Sequence, residues 1–509
     1  MAIDEGALLE PLRSVVAFVD VAVPKAAQGA ILMRGHVAKT CQPAQLENDN
    51  YVSTLRAVVF MQDKAAPETI RKALLRYAPR ALDFGCNVVV RPAAGHFVGL
   101  LGMMEKTALK DLIATPQGDR PSPSIRIDDE GTQWSRIAEY VDQRGAGRPP
   151  DMGLRLEIEH KPDGTEIQLT QTQQILVKRA FWDCERLYLR PLEEGLSGAM
   201  VLLAFPALKQ TYYTSRWPTP YCVKIAPRAE ALTEYKTHRE RVDPYIPFHL
   251  GPQVIAERCF LGANQGIVVT DFVEESESFV DCARAGRASA AIAGLFNRTL
   301  HGWYRDAKEV LAPLRGYLPV AGVIPKERMR RARELGAKRS QKALQGLLRR
   351  RKQKLLLVGP IHGDLNAGNI LIRGGDAVVI DFSKHQKEGA LLFDAASLEA
   401  SLLVKGFAKD DRDTAVWLDS IIAAYDRDAL LSTPPYIDPD SHSCWFFESI
   451  RQIRRYARQM ERGKQQYGVM LSAALLKLAA KDLQLPEREE GSRAAAYVLA
   501  ERVLMAKVT

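Results

Sequence analysis

The sequence predicts an α+β protein in which a small α/β domain precedes a β-rich segment and a helical C-terminal lobe. Three observations indicate this fold class. Strand-like and helix-like patterns alternate over residues 1–113, short apolar runs follow from about residue 153, and helical spacing fills residues 410–509. The chain has 509 residues, 46% hydrophobic and 26% charged, which excludes collagen-like, low-complexity and wholly disordered classes.

The first 113 residues predict an α/β accessory domain. Apolar, β-branched runs predict strands at 14–23, 56–62 and 87–91, and helical spacing predicts helices at 67–84 and 100–113. This alternation is typical of a partly parallel sheet with helices packed on it. The segment has neither a phosphate-binding glycine motif nor metal-ligand spacing, so it indicates a fold and no chemistry.

Proline and glycine then predict a linker over 114–152, followed by a second domain over 153–509. We expect that domain to fold without the first one. A Pro-Asp-Gly turn at Pro162–Gly164 predicts a hairpin. Helical spacing follows from Gln171 to Leu187.

Composition also bears on location. No apolar stretch approaches the roughly 18–20 residues that cross a bilayer, and the N-terminus carries acids where a signal peptide carries basic residues. The seven cysteines show no CxxC spacing, which argues against a zinc site and a disulfide framework. The sequence therefore predicts a cytoplasmic protein with no membrane partner, and it leaves the oligomeric state open.

The most informative segment is IHGDLNAGNILIRGGDAVVIDF, residues 361–382. Two apolar runs around a Gly-Gly-Asp turn predict a hairpin, which would bring Asn369 and Asp381 side by side. Phosphoryl transfer needs a carboxylate that accepts the proton of the attacking hydroxyl, and Asp364 suits that role. It also needs hard oxygen ligands for Mg²⁺, and Asn369 and Asp381 suit this second role.

The HGDLNAGNIL and VIDF sequences resemble the catalytic and metal-binding loops of the aminoglycoside phosphotransferase/choline kinase group, within the protein-kinase-like fold. The resemblance implies a bilobal fold, with a β-rich N-lobe over about 153–275 and a helical C-lobe over about 276–509. It also implies ATP and Mg²⁺ as cofactors. Asp394 resembles the buried aspartate of these kinases, His362 is expected to be structural, and Ser383 stands where protein kinases have Gly. Residues from about 168 onward also resemble the ternary-complex-associated kinase-like domains of bacterial conflict and signalling proteins.

Upstream residues are candidates for nucleotide binding. Gly195, Ser197 and Gly198 lie in a short loop between extended segments, whose backbone N–H groups would cover phosphates, although an ordinary hairpin turn fits the pattern equally well. Lys224 stands in the apolar strand PYCVKI and resembles the lysine that pairs the α- and β-phosphates of ATP. The alternative is a surface lysine on a strand.

A glutamate is expected to orient Lys224, and Glu234 is favoured over Glu230 and Glu240. The apolar strand GIVVTDFV at 266–273 is predicted to be the hinge strand, where the backbone of Asp271, Phe272 and Val273 would hydrogen-bond adenine. A plain core strand is compatible with the same pattern.

The basic segment, defined as residues 326–354, carries thirteen Lys and Arg against two acids, so its formal charge of +11 exceeds the +9 of the whole chain. Such a run is either a solvated helical face or a surface for an anionic partner. Taken together, the sequence predicts a phosphotransferase that moves the γ-phosphate of ATP to an unidentified hydroxyl acceptor, a small molecule or a protein. The alternative is a nucleotide-binding pseudokinase that serves as a sensing or scaffold module of a larger assembly.

Overall fold

The chain forms two compact units. Unit 1 comprises Met1–Lys236 and Val254–Phe272, and unit 2 comprises Thr237–Gln253 and Val273–Thr509. The computed structural model describes residues 13–61, 67–107, 109–113, 124–129, 131–143, 148–160, 166–192, 199–209, 219–319, 321–349, 353–408, 413–426, 442–463, 465–481 and 487–505.

Unit 1 begins with a five-stranded sheet in the order β2-β1-β3-β4-β5, and every neighbouring pair is parallel. Its strands are β1 (Val15–Val19), β2 (Val37–Cys41), β3 (Leu55–Met61), β4 (Asn87–Arg91) and β5 (Ile125–Ile127). The helices of this part are α1 (Lys25–Leu32), α2 (Asp49–Ser53), α3 (Pro67–Asp83), α4 (Phe97–Met104) and α5 (Trp134–Gln143).

Both faces of this sheet are covered, which explains why its inner strands read as continuous apolar runs. Successive residues of a strand point to opposite faces. Val16 and Phe18 thus join the apolar cluster of α1 and α5, whereas Ala17 joins the cluster of α3 and α4. The predicted strand at 87–91 is confirmed at both ends.

The accessory domain extends further than the sequence indicated. Residues assigned to the linker at 114–152 include β5, which pairs with β4, and α5, whose Ile137 and Val141 are buried against the sheet. The sequence signal was weak because β5 has only three residues and follows a Pro/Gly-rich stretch.

The second sheet of unit 1 has six strands in the order β10-β11-β9-β8-β7-β6. These strands are β6 (Arg155–Ile158), β7 (Cys184–Pro191), β8 (Met200–Leu208), β9 (Tyr221–Pro227), β10 (Phe260–Leu261) and β11 (Gln265–Asp271). Two helices accompany the sheet, α6 (Gln171–Ala180) and α7 (Arg228–Thr237).

Two local predictions differ from the structure here. The hairpin around Pro162–Gly164 is wrong, because residues 166–170 form no strand and β6 pairs in parallel with β7 instead. The helix predicted from Gln171 to Leu187 ends at Ala180, and β7 begins at Cys184. The side chain of Thr170 caps the start of α6, accepting from the Gln173 N–H, so the chain is already turning into the helix at that point.

A buried polar junction joins the two sheets of unit 1. Asp83, at the end of α3, accepts hydrogen bonds from the Ala263 N–H at 2.7 Å and from the Thr172 hydroxyl at 3.0 Å. The guanidinium of Arg179 on α6 donates to the Asp83 carbonyl at 2.9 Å. Because Ile175 also packs in the core of the first sheet, a fragment starting at residue 153 would expose this surface. Contrary to the sequence-based expectation, we expect such a fragment to be less stable than the whole chain.

Replacing Asp83 with alanine tests this junction. We expect the variant to lose about 1–3 kcal/mol of unfolding free energy, because the buried Ala263 N–H loses its acceptor. Urea denaturation measures the loss. The exposed Asp129 serves as a control, since Asp129→Ala should change stability by no more than about 0.5 kcal/mol. Equal midpoints for the two variants would contradict a stabilising role of the junction.

Within its described residues, unit 2 contains two three-stranded sheets, in the orders β12-β15-β16 and β13-β14-β17. The strands are β12 (Glu277–Ser278), β13 (Lys308–Pro313), β14 (Gln353–Ile361), β15 (Ile370–Arg373), β16 (Asp376–Val379) and β17 (Gln386–Ala390). The helices are α8 (Phe279–Arg284), α9 (Ala288–Gly294), α10 (His301–Arg305), α11 (Lys326–Glu334), α12 (Gln341–Arg349), α13 (Leu392–Ala408), α14 (Thr414–Ile421), α15 (Cys444–Met460), α16 (Gln466–Ala479) and α17 (Glu487–Met505). The predicted hairpin at 370–380 and the predicted helical C-terminal part are confirmed.

A single apolar core runs through unit 2, and α13 lies at its centre, packed against α15, α16 and α17. A buried ion pair crosses this core. Arg454 of α15 donates to both carboxylate oxygens of Glu399 on α13, at 2.6 and 3.0 Å, and the Tyr467 hydroxyl donates to Glu399 at 2.7 Å. These bonds satisfy the buried charges, and they fix how α15 and α16 pack on α13. Over the described ranges, no helix is both long enough and apolar enough to cross a bilayer.

Candidate active site

In unit 1 the candidate residues centre on Lys224. This lysine lies in the middle of β9, paired with Val201 of β8 on one side and Val268 of β11 on the other. Its Nζ lies 2.9 Å from Glu234 Oε2, and the two side chains are only 14% and 7% exposed. Hydrogen bonding on both sides of β9 holds the lysine backbone rigidly, and the ion pair directs its ammonium group.

The geometry of α7 determines which glutamate pairs with Lys224. Ala231 and Glu234 are the buried residues of this helix, one turn apart, whereas Glu230 and Glu240 are exposed. Glu234 is therefore the acid that reaches the lysine, which is the residue that the sequence analysis favoured. Burying two charges costs solvation free energy, and their mutual attraction often compensates only part of that cost. A contribution to folding stability therefore does not by itself explain why this ion pair is buried.

The predicted hinge residues lie where the chain passes from unit 1 to unit 2. Asp271 ends β11 opposite Tyr221, and the Phe272 N–H donates to the Pro220 carbonyl at 3.3 Å. Val273 is buried and belongs to unit 2. The Phe272 N–H is thus already engaged, which differs from the expectation that it would bind adenine. The other candidates of this half, Gly195, Ser197 and Gly198, lie outside the described residues.

In unit 2 the candidate site is built around Asp364, whose side chain is 31% exposed. Its Oδ2 accepts from the Asn366 amide at 3.2 Å, and its Oδ1 lies 3.1 Å from Lys477 Nζ. The side-chain amide of Asn369 donates to the Asp364 carbonyl at 3.0 Å. The loop therefore presents a carboxylate that is oriented by hydrogen bonds and still accessible to solvent.

The fully buried side chain of Asp394, at the start of α13, anchors this loop. Its carboxylate accepts from the His362 N–H at 2.9 Å and from the Gly363 N–H at 3.1 Å. Burial raises the pKa of Asp394, and these contacts with His362 and Gly363 oppose that shift. The Nε2–H of His362 donates to the Ile380 carbonyl at 3.1 Å, and its ring packs on Phe382, as the structural role expected for it implies.

Glycine is required at position 363. Its φ is +76°, and a β-carbon there would overlap the carbonyl oxygen of Lys384. Both constraints exclude a side chain. The close approach of the two segments lets the loop residues 362–364 lie directly against the turn that follows Asp381.

The β15–β16 hairpin places Asn369 and Asp381 at its open end, Asn369 just before β15 and Asp381 just after β16. Ile370 pairs with Val379, and the Ile380 N–H donates to the Asn369 carbonyl at 2.9 Å. Asp381 has a left-handed backbone, with φ +59°, and its carboxylate accepts from the Ser383 N–H at 3.4 Å. This conformation is strained for a residue other than glycine. In proteins, residues with such backbone strain are concentrated at functional sites.

Asn369 and Asp381 suit a magnesium ion by their chemistry. The Asn369 amide nitrogen is turned to the Asp364 carbonyl, so its oxygen is the atom left to act as a ligand. Together the two side chains supply one neutral and one charged hard oxygen, and Mg²⁺ typically takes few protein ligands and completes its shell with phosphates and water. Among the described residues, no group of three or more His, Cys, Asp and Glu side chains forms a metal cluster of its own.

Sequence reasoning missed the lysines near Asp364. Lys477 lies on α16, 113 residues further along the chain, and Lys405 reaches from α13 to the loop, where a β-carbon on Gly368 would overlap its Nζ. Which group Lys477 meets depends on how α16 packs on α13, and no local pattern indicates it.

The basic segment forms α11, α12 and the start of β14. Part of its charge is internal, because Arg328 is buried and donates to both carboxylate oxygens of Glu490, and Arg330 pairs with Glu327 and Glu334. A cavity of about 410 Å³ beside α12 is lined by the basic side chains of Arg315, Lys342 and Arg349 among apolar ones. An anionic partner at this segment remains a prediction.

Comparison with known proteins found a family match in the C-terminal half of the chain. A family model described as "Ternary complex associated domain 9" matches residues 325–483, less than half of the chain. The comparison with curated proteins found no match.

Three similar solved structures are kinases or phosphotransferases. Amicoumacin kinase hAmiN, in complex with AMP-PNP, Ca²⁺ and Ami, is 13% identical over 63% of this chain and 88% of that chain, with a TM-score of 0.34. Aminoglycoside phosphotransferase APH(3'')-Id from Streptomyces rimosus is 19% identical over 56% and 99%, with a TM-score of 0.28. A putative fructosamine-3-kinase from Haemophilus somnus is 10% identical over 62% and 90%, with a TM-score of 0.32. At such low identities and TM-scores, function has to be inferred from the residues of the site.

Proposed function

We propose that this chain is an ATP- and Mg²⁺-dependent phosphotransferase that moves the γ-phosphate of ATP to a hydroxyl acceptor. The observation that carries the proposal is the arrangement of one loop and one hairpin in unit 2. Asp364 is a partly exposed, oriented carboxylate, and Asn369 and Asp381 lie at the open end of the adjoining hairpin. Phosphoryl transfer depends on positioning and charge neutralisation, which this set of groups supplies.

Asp364 would orient the acceptor hydroxyl and take its proton as the oxygen attacks. Asn366 and Asn369 hold the loop so that this carboxylate keeps one orientation, which reduces the entropy lost on reaching the reactive geometry. Asn369 and Asp381 would hold Mg²⁺ through their side-chain oxygens. Bound there, the ion would neutralise charge on the nucleotide phosphates.

The nucleotide contacts would come from the residues around Lys224, from the end of β11 and from the residues that follow it. Lys224, directed by Glu234, would bind the α- and β-phosphates. The backbone of Asp271 and Val273 would contact adenine, and the loop with Gly195, Ser197 and Gly198 would cover the phosphates. The low exposure of the Lys224–Glu234 pair supports this assignment, because a desolvated ammonium binds phosphate more strongly than a hydrated one.

Nucleotide binding tests the role of Lys224. Removing the lysine alone would leave the buried charge of Glu234 without this ammonium group, so both residues are changed to methionine, which avoids that cost. We expect Lys224→Met with Glu234→Met to fold like the wild type and to bind AMP-PNP with Mg²⁺ about 10- to 100-fold more weakly, the effect of losing charge-assisted hydrogen bonds.

Titration calorimetry measures this affinity, and thermal unfolding checks the fold. Lys39→Met, an exposed strand lysine of the same unit, is the matched control and should bind AMP-PNP normally. Wild-type affinity in the folded double variant would remove Lys224 from the nucleotide site.

A further inference from the structure

The cavity beside α12 is formed by residues that the proposed function does not use. Its volume of about 410 Å³ falls in the lower part of the roughly 300–1,000 Å³ range of small-molecule sites. It is lined by α12, by the segment 315–323 that precedes α11, and by α16. All three belong to unit 2. The cavity therefore has the size of a site for a small ligand.

Two glutamines of α12 hold the lining segment against the helix. The side chain of Gln341 accepts from the Ile324 N–H at 3.1 Å and donates to the Gly322 carbonyl at 2.5 Å. The side chain of Gln345 donates to the Ala321 carbonyl at 3.5 Å. Because these bonds fix the segment to the helix, the cavity is a defined feature of the unit.

The inner wall of the cavity is apolar. Leu348 of α12 and Ala473 and Leu476 of α16 line it, and all three side chains are buried. A polar ligand group placed against this wall would lose its hydrogen bonds to water without gaining others, whereas an apolar group would gain free energy on leaving water. The wall therefore favours a ligand with an apolar body.

Three basic residues complete the lining, namely Arg315, Lys342 and Arg349, and all three are exposed. Lys342 and Arg349 are seven residues apart on α12, which places them on the same face of the helix. Within the part of the chain that the structure describes, none of the three forms an ion pair, and no acidic residue lines the cavity. The positive charge at this site is thus available to an anion.

An apolar wall beside these cations selects an amphipathic anion. The guanidinium group of an arginine offers a planar set of donors that matches a carboxylate or a phosphate, and the combined charge attracts either one. A single-stranded nucleic acid fits less well, because the described lining residues include no aromatic side chain on which a base could stack.

We propose that this cavity binds a small amphipathic anion. Its apolar body lies against Leu348, Ala473 and Leu476, and its phosphate or carboxylate head is held by the three basic residues. The inference does not rest on the proposed function, because no lining residue is a catalytic, metal or nucleotide candidate.

Titration calorimetry with the full-length chain tests both parts of the ligand. The probes 1-naphthyl phosphate and 1-naphthoate carry a body and a head, 1-naphthol lacks the charge, and inorganic phosphate lacks the body. We expect at least one of the two amphipathic anions to bind at least about tenfold more tightly than either partial probe, the effect of losing one charge-assisted hydrogen bond. The tighter of the two identifies the preferred head group.

Substitutions locate the probe. Lys342→Gln with Arg349→Gln changes two exposed residues, so the variant should fold, which thermal unfolding checks. We expect its affinity for the preferred anion to fall by at least about tenfold. Arg333→Gln is the matched control, because Arg333 is an exposed arginine of the basic segment that does not line the cavity, and it should bind the anion normally.

Several results would overturn the inference. Neither anion binding, 1-naphthol binding as tightly as the anions, or an equal affinity in wild type and in the folded double variant would each do so. An equal loss in Arg333→Gln would show a diffuse charge effect instead of a site. Displacement of the anion by AMP-PNP and Mg²⁺ would place it in the nucleotide site.

An oligothymidylate provides the last arm, since nucleic acid is the competing anionic partner. We expect it to bind weakly and to lose affinity with rising salt concentration, as binding to a general positive surface does. Binding tighter than that of the amphipathic anions, and lost in the Lys342→Gln and Arg349→Gln variant, would assign this surface to nucleic acid and overturn the proposal.

Discussion

Replacing Asp364 with asparagine is expected to lower turnover by about 10²–10⁴-fold, the range for general acid–base groups, while ATP affinity changes by no more than a few-fold. The amide cannot take the hydroxyl proton, and the side chain is assigned to the acceptor and not to the nucleotide. The loop should survive, because Asn366 and Asn369 donate to the backbone carbonyl of residue 364, which the substitution leaves in place.

Steady-state kinetics and AMP-PNP titration measure the two effects separately. Asp376→Asn is the matched control, because Asp376 is the first residue of β16, next to the turn, and pairs with Arg298 on the surface. It should keep wild-type turnover. Turnover within a few-fold of the wild type in Asp364→Asn would show that this carboxylate does not act on the acceptor.

Replacing Asp381 with asparagine is expected to abolish Mg²⁺-dependent ATP binding, a loss of more than about 100-fold, since even the partners of metal ligands are worth about 10–100-fold. The substitution removes a charged ligand and opens no cavity. Asparagine also adopts the left-handed backbone more readily than most residues, so the φ of +59° at this position is retained.

The prediction for Asp381 is tested by measuring ATP affinity as a function of Mg²⁺ concentration. In the wild type, ATP affinity should rise steeply with Mg²⁺ concentration, and in Asp381→Asn it should remain low and nearly independent of the metal. Asp376→Asn again serves as the control. An unchanged Mg·ATP affinity in Asp381→Asn would show that the metal, if it is bound, has other ligands.

Local signals in the sequence predicted the parts of the candidate site that lie within one hairpin. The apolar runs and the Gly-Gly-Asp turn between Asn369 and Asp381 specify the pairing of β15 with β16, and that pairing brings the two residues to the same end. Strand β4 was predicted at both ends for the same reason, because a run of valines stands between a helix-ending glycine and a proline. In each case the information lies within about twenty residues.

Features that depend on packing were not predictable in this way. The parallel pairing of β6 with β7 joins strands separated by α6, and a nearby turn signal pointed to a hairpin instead. The contact between Lys477 and Asp364 depends on how α16 lies against α13. Likewise, the burial of Asp83 against Ala263 brings together residues 180 apart, and only the tertiary structure shows that the first sheet packs on α6.

Transfer of labelled γ-phosphate tests the central claim most directly. The full-length chain is incubated with γ-labelled ATP, Mg²⁺ and a broad panel of hydroxyl acceptors, in parallel with Asp364→Asn and Asp376→Asn. We expect label on an acceptor, or slow release as phosphate, with the wild type and Asp376→Asn, and a loss of about 10²–10⁴-fold with Asp364→Asn. A wild type that binds Mg·ATP yet transfers and hydrolyses nothing above background would contradict the claim, and the chain would then be a nucleotide-binding pseudokinase.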